Sequence, residues 1–197
     1  MSLAHLQNYD SLSIDTPMAS VDFSIMLSKY INTYYKPPYK EFVLLCIGTD
    51  RSTGDALGPI IGHKLVHSLS KYKDIYVYGT LDDPVHAKNL SEKIEGIYNS
   101  FDHPFVVAID ACLGKMDRIG YISVGNGPLR PGAGVNKTLP AVGDINITGI
   151  VNLSGYMEYM VLQNTRLSLV MKMADVLVNS IKYSIWKLNQ QKLFMEN

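Results

Sequence analysis

Two aspartates draw attention because each sits where an apolar run releases the chain. Asp55 lies in Gly48-Thr49-Asp50-Arg51-Ser52-Thr53-Gly54-Asp55-Ala56-Leu57-Gly58-Pro59, directly after the run Phe42 to Ile47. Asp110 closes the run Phe105 to Ile109. Two carboxylates sharing a water-poor crevice split their titration: like charges disfavour double ionisation, so one keeps a proton while the other is free to activate water. The same pair could instead hold a divalent cation, which removes the repulsion and prefers oxygen ligands. A nucleotide loop does not fit. Gly48 and Gly54 have five residues between them and are followed by an acid instead of Lys-Ser/Thr, and no Gly-x-Gly-x-x-Gly is present. The plain alternative for Asp55, a cap on a helix starting near Pro59, suffers from a four-residue gap that is long for a cap.

Further candidates flank the pair. His86 lies in Gly79-Thr80-Leu81-Asp82-Asp83-Pro84-Val85-His86, on the loop after a second strand, where an imidazole can exchange a proton near neutral pH or simply pack in a first helical turn. Residues 125–143 are rich in Gly and Pro and predict a shaped lid. From it Asn136 and Lys137 could offer an amide and a cation to a developing oxyanion or a peptide backbone. Cys112 is two residues beyond Asp110, with no histidine at a spacing that would activate it as a nucleophile. Tyr30, Tyr34, Tyr35 and Tyr39 mark either a partner surface or a helix laid on the core.

The elements that must position these groups follow a rhythm. A helix is expected near 20–34. Continuous apolar runs at 42–47, 75–78 and 105–109 predict buried strands, alternating with helices near 59–66 and 85–98. Shorter strands are expected at 120–124 and 145–151, then one long helix capped by Ser154. Strand–helix alternation implies an α/β fold with a mainly parallel sheet flanked by helices in three layers, of phosphorylase/hydrolase-like form. Such a sheet binds ligands beyond the carboxyl ends of its strands, where Asp55 and Asp110 would face one crevice. The expected division is an N-terminal extension with a helix over 1–39, a domain over 40–185 and a C-terminal tail over 186–197.

Composition narrows the function classes. With 18 basic and 18 acidic residues there is no bulk positive charge for a phosphate backbone, so direct nucleic-acid binding is not expected. No apolar run is long enough to span a bilayer, and the start of the chain has no secretory pattern, which together predict a cytoplasmic protein without membrane contact. Only Cys46 and Cys112 occur, and they read as reduced thiols near strands.

Three segments, Thr53-Gly54-Asp55-Ala56-Leu57-Gly58-Pro59, Val107-Ala108-Ile109-Asp110-Ala111 and Pro131-Gly132-Ala133-Gly134-Val135-Asn136-Lys137, occur in an order that resembles the germination protease of endospore-forming bacteria. They resemble more closely its shorter sporulation-linked relatives of the YyaC type, over about residues 40–182. The resemblance implies a fold also found in hydrogenase-maturation endopeptidases, in which acids at two strand ends cut protein or grip nickel. The matching positions are Asp55 and Asp110. It also implies a protein or peptide substrate, with small acid-soluble spore proteins as candidates, and a place in the forespore or spore core. The chain departs from the pattern in two ways. It lacks the larger protease's activation region, and no histidine follows His103, whereas the maturation enzymes carry a metal-binding histidine beyond the second acid. The leading expectation is a sporulation- or germination-associated, aspartate-dependent peptidase that needs no cofactor. A non-catalytic peptide- or partner-binding protein and a metal-binding maturation factor are the alternatives, and homo-oligomerisation is left open.

Overall fold

The computed structural model describes residues 9–132, 139–155 and 157–195, with side chains described through residue 191. Its centre is a six-stranded sheet: β1 (Tyr9–Ser13), β2 (Phe42–Cys46), β3 (Ile75–Tyr78), β4 (Phe105–Gly114), β5 (Tyr121–Asn126) and β6 (Ile145–Leu153), in the order β1-β5-β6-β4-β2-β3. β2 pairs in parallel with β3 and β4, and β4 in parallel with β6, whereas β5 is antiparallel to both β6 and β1. The helices are α1 (Ala19–Tyr34), α2 (Leu57–Leu69), α3 (Leu90–Ser100), α4 (Glu158–Gln163) and α5 (Leu167–Met195). The expected mainly parallel α/β architecture holds.

Period-two alternation makes the layers. Phe42, Leu44 and Cys46 of β2, with Phe105, Val107 and Ile109 of β4, turn to a face covered by α1, α2 and α5. Val43, Leu45, Val106 and Ala108 turn the other way, onto Leu90 and Ile97 of α3 and onto Val142. Apolar residues on both faces explain why these strands read as unbroken hydrophobic runs. In α5, Val170, Met173, Ala174, Leu177, Ile181 and Ile185 recur at three- and four-residue steps and are buried on the sheet side.

Serines line the crossing of α1 and α5. The Ser28 hydroxyl donates to Ser184 Oγ at 3.2 Å, and those of Ser180 and Ser184 donate to the Ser20 and Ser24 carbonyls at 2.8 and 3.2 Å. Small side chains let the two backbones approach while each buried hydroxyl keeps a partner.

Several elements differ from the sequence expectation. Residues 1–39, read as an extension, hold in their described part β1, which joins the sheet, and α1, whose Phe23, Leu27 and Ile31 are in the main core. Residues 186–195, read as a tail, continue α5. The long helix expected after Ser154 is broken: α4 ends at Gln163, Thr165 Oγ1 donates back to the Val161 carbonyl at 3.0 Å, and α5 starts at Leu167. Ser154 is no cap. Its N–H and hydroxyl both go to the Gly114 carbonyl, at 2.8 and 3.2 Å. The helix expected from Val85 begins at Leu90, because Val85 is drawn into a parallel bridge with Ile47. Tyr35 and Tyr39 pack their rings on Phe105 at 5.2 and 5.1 Å, which makes them part of the aromatic floor of the core.

Candidate active site

From β2 the chain crosses through α2 to β3 on one side of the sheet, then returns through α3 to β4 on the other side of β2. The order therefore reverses between β2 and β4, and the carboxyl ends of those two strands form the crevice where open α/β sheets bind ligands. Asp55 follows β2. It sits in a 3-10 turn, Gly54–Ala56, that runs directly into α2. The N-terminus of α2 has no side-chain cap, so the carboxylate is not used up there.

Backbone contacts fix the loop. Gly48 donates its N–H to the Val85 carbonyl at 2.7 Å and Thr49 donates to the Asp55 carbonyl at 3.1 Å. Gly48 has φ +146°, and a Cβ there would stand 2.0 Å from the Asp55 carbonyl oxygen. Gly58 lies as close to β2, since its Cβ would meet the Ile47 carbonyl oxygen at 2.1 Å. The glycines of this segment thus let α2 and the Asp55 turn rest on the strand end.

Asp110 was expected at the end of its strand and is within it. β4 pairs with β2 only as far as Cys46 opposite Ile109, and residues 110–114 continue with β6 as their sole described strand neighbour. The departure of β2 is what opens the crevice. Asp55, Asp110, Cys112, Thr148, Arg130 and Glu158 are among the residues that line it, around a volume of about 340 Å³. That is at the small end of ligand pockets, which run from about 300 to 1,000 Å³. A larger groove of about 970 Å³, lined by Tyr35, Tyr39 and Lys40 among others, lies at the opposite end of the sheet, away from the two acids.

The two carboxyls are unequal. Burial pushes Asp110 well above the usual carboxylate range and the charge of Asp55 pushes it further, with only the Ala111 N–H, at 2.8 Å from Oδ1, pulling the other way. Burial also raises Asp55, and the neighbouring Ser52 hydroxyl opposes that rise. The Cys112 thiol is driven up to about 11, first by burial and then by Asp110, with Thr148 opposing, so it is protonated at neutral pH and a poor nucleophile.

A raised carboxyl pKa has a consequence for folding. The native state holds the Asp110 proton more tightly than the unfolded chain does. Its contribution is therefore full below the unfolded value and is lost as pH rises through the native one. Asp110→Asn removes that loss. The variant is expected to melt above the parent at pH 8, by on the order of 3–6 °C for a chain of this size, with the gap closing towards pH 4. Thermal denaturation at both pH values measures it.

The other expected residues are placed as follows. His86 is one residue past the Val85 carbonyl that accepts from Gly48, and its own N–H donates to Asn89 Oδ1 at 2.8 Å. It is not among the residues lining the crevice, and its Nδ1 is buried with no hydrogen bond among the described residues. Asp82 and Asp83, on the same loop as His86, face His63 at 3.4 Å and Lys93 at 2.7 Å. Asn136 and Lys137 lie outside the described residues. Arg130, Thr148 and Glu158 had no motif to mark them. Thr148 is placed only by its register opposite Asp110, and Glu158 only by the break that creates α4. Among the described residues no group of three or more His, Cys, Asp or Glu could hold a metal ion. No helix among the described residues is long and apolar enough to cross a membrane.

The model of a family described as "Protein of unknown function (DUF1256)" matches residues 11–180. The chain belongs to the DUF1256 family. This DUF1256 chain is 57% identical over 143 residues to the uncharacterized protein YyaC of Bacillus subtilis (strain 168), covering 72% of this chain and 68% of that one. The expected likeness to YyaC-type proteins holds. Among solved structures, the NiFe hydrogenase maturation protease HycI from Thermococcus kodakarensis KOD1 superposes with a TM-score of 0.52, covering 81% of this chain and 97% of that one at 18% identity. At that identity the likeness is one of fold, and it places this DUF1256 chain on a three-layer α/β scaffold that a maturation protease also uses.

Proposed function

We propose that this DUF1256 chain is a peptidase-like hydrolase acting on a protein substrate in the sporulating or germinating cell, with Asp55 as base and Asp110 as acid. The observation that carries the reading is the pair of carboxyls in one crevice, one of them held strongly towards its protonated form by burial and by the other's charge. The motif likeness to germination proteases and the fold shared with HycI support it. Asp55 stands just ahead of the first turn of α2, where helix dipoles favour negative charge, so it is the member of the pair suited to carry the anion.

In the cycle, Asp55 takes a proton from water as the water oxygen bonds to the scissile carbonyl carbon. Asp110 gives its proton to the carbonyl oxygen, which leaves a neutral diol. On collapse, one diol hydroxyl returns its proton to Asp110, the C–N bond breaks, and the amine departs with the proton held by Asp55. The products are a carboxylic acid and an amine, and the dyad is restored. Turnover needs one proton on the pair, so the rate rises on the acid limb as Asp55 ionises and falls on the alkaline limb as Asp110 loses its proton. The two limbs report the pair and not either residue alone.

Purified protein incubated with small acid-soluble spore proteins between pH 4 and 9, with mass spectrometry of the products, tests the reading. New termini with a bell-shaped pH dependence are expected. Intact substrate at every pH would replace it with a peptide- or partner-binding protein of the same fold.

A further inference from the structure

The crevice straddles an edge of the sheet. Asp110, Ala111, Cys112 and Leu113 all line it, although successive strand residues point to opposite faces. Its walls come from both layers as well: Leu162 belongs to the core under α1, α2 and α5, while Leu129 packs on the core under α3. An opening that touches both faces of a strand lies along its edge, in the gap that β2 vacates.

The main-chain groups facing that gap can be identified. The Ile109 carbonyl accepts from Ile47 N–H at 2.7 Å on the β2 side, and the Gly114 carbonyl accepts from Ser154 N–H at 2.8 Å on the β6 side. Alternation between these two fixed points turns Ala111 and Leu113 to the β2 side, where β4 has no further strand partner among the described residues. The Ala111 N–H closes on the side chain before it, Asp110 Oδ1, as a donor without a strand neighbour would. The register shift opposite Cys112 and Leu113 puts its extra residue, Val151, in β6, so β4 keeps its alternation and the Ala111 carbonyl and both polar groups of Leu113 fall on the crevice side.

We infer that the substrate binds as an extended segment that adds a strand to the free edge of β4, pairing its backbone with Ala111 and Leu113 and so laying a peptide bond beside Asp55 and Asp110. This rests on the peptidase reading for what happens next, but the pairing is a binding mode with its own signature. Edge addition draws affinity from main-chain hydrogen bonds and leaves alternate side chains of the peptide to set preference. One set of alternate side chains would face Leu129 and Arg130, and the other Leu162 and Glu158. The peptide's backbone then matters at every second residue, whatever its sequence.

The probe is a decapeptide taken from a random library by retention on the Asp55→Asn protein, then remade with a single N-methyl group at each position in turn. Each methyl removes one backbone donor and blocks close approach. Binding is expected to fall about tenfold or more at alternate positions, with little change in between, as for a donor left unpaired in a buried site. On the protein side, the bound peptide is expected to slow amide exchange at Leu113 at least about tenfold while leaving Cys112, already turned to β6, unchanged. Methyl effects without alternation, unchanged exchange at Leu113, or no retained peptide would each overturn edge pairing. Spore-protein cleavage by the parent, scored separately, decides the peptidase reading. Cleavage without alternation sinks only the pairing, and alternation without cleavage sinks only the chemistry.

Discussion

Asp55→Asn and Asp110→Asn are each expected to lower hydrolysis by about a hundred- to ten-thousand-fold, the span usual for losing a positioned acid or base. Each exchange keeps the shape of the side chain and deletes its titration. The loss should fall on kcat, because the affected step is proton transfer and the crevice that holds the peptide is unchanged. Steady-state kinetics on a cleaved spore protein, fitted for kcat and KM separately, provides the measurement. For Asp110→Asn the rate falls while the melting temperature at pH 8 rises, a combination that a purely structural aspartate would not give. Parental kcat in both variants would remove the pair from the mechanism.

Gly48→Ala is expected to be the most damaging single-methyl change in this loop. The residue has φ +146°, which a side chain disfavours, and the added carbon would sit 2.0 Å from the Asp55 carbonyl oxygen and 2.8 Å from Pro59 Cδ. Neither neighbour can swing away, since one is backbone and the other belongs to the first turn of α2. Backbone strain and displacement together are expected to cost about 2–4 kcal/mol, or a fall of roughly 5–15 °C in melting temperature. Hydrolysis should fall as well, because the carbonyl that moves belongs to Asp55, the proposed base. Gly96→Ala is the matched control: nothing lies within 4 Å of its Cβ and it sits inside α3, so alanine should stabilise slightly. Parallel thermal melts check both. A Gly48→Ala protein melting within about 2 °C of the parent would show that the loop is not held as described.

The strands buried on both faces were legible because burial produces runs such as Phe42 to Cys46 and Phe105 to Ile109; β3 matched its expected bounds but is a half-buried edge strand, not the buried one expected. β1 was not legible. Tyr9–Ser13 is an edge strand with only Leu12 fully buried, and half-exposed edge residues leave a polar pattern that reads as loop. The break between α4 and α5 escaped for a related reason: Asn164 and Thr165 are only mildly unfavourable in a helix, and the contact that holds Thr165 at the break, from Asn152 Nδ2 at 3.2 Å, is made by a residue outside the helix. In the candidate crevice, the two acids were singled out by their place after apolar runs, and both line it. That Asp110 lies inside its strand was hidden, because the length of β4 is set by β6, a pairing that no local signal encodes. Arg130 and Glu158 reach the crevice by the same long-range route.

The reversal of strand order between β2 and β4 also governs when the two acids can meet during synthesis. Asp55 leaves the ribosome well before Asp110, and β4 gains its second neighbour only when residues 145–153 have followed. Until then each carboxyl belongs to a separate, solvated stretch of nascent polypeptide, with neither the burial nor the charged companion that shifts Asp110. An incomplete chain therefore carries two ordinary acids and no dyad. The crevice that the two acids share thus exists only in molecules whose sheet has already closed around it.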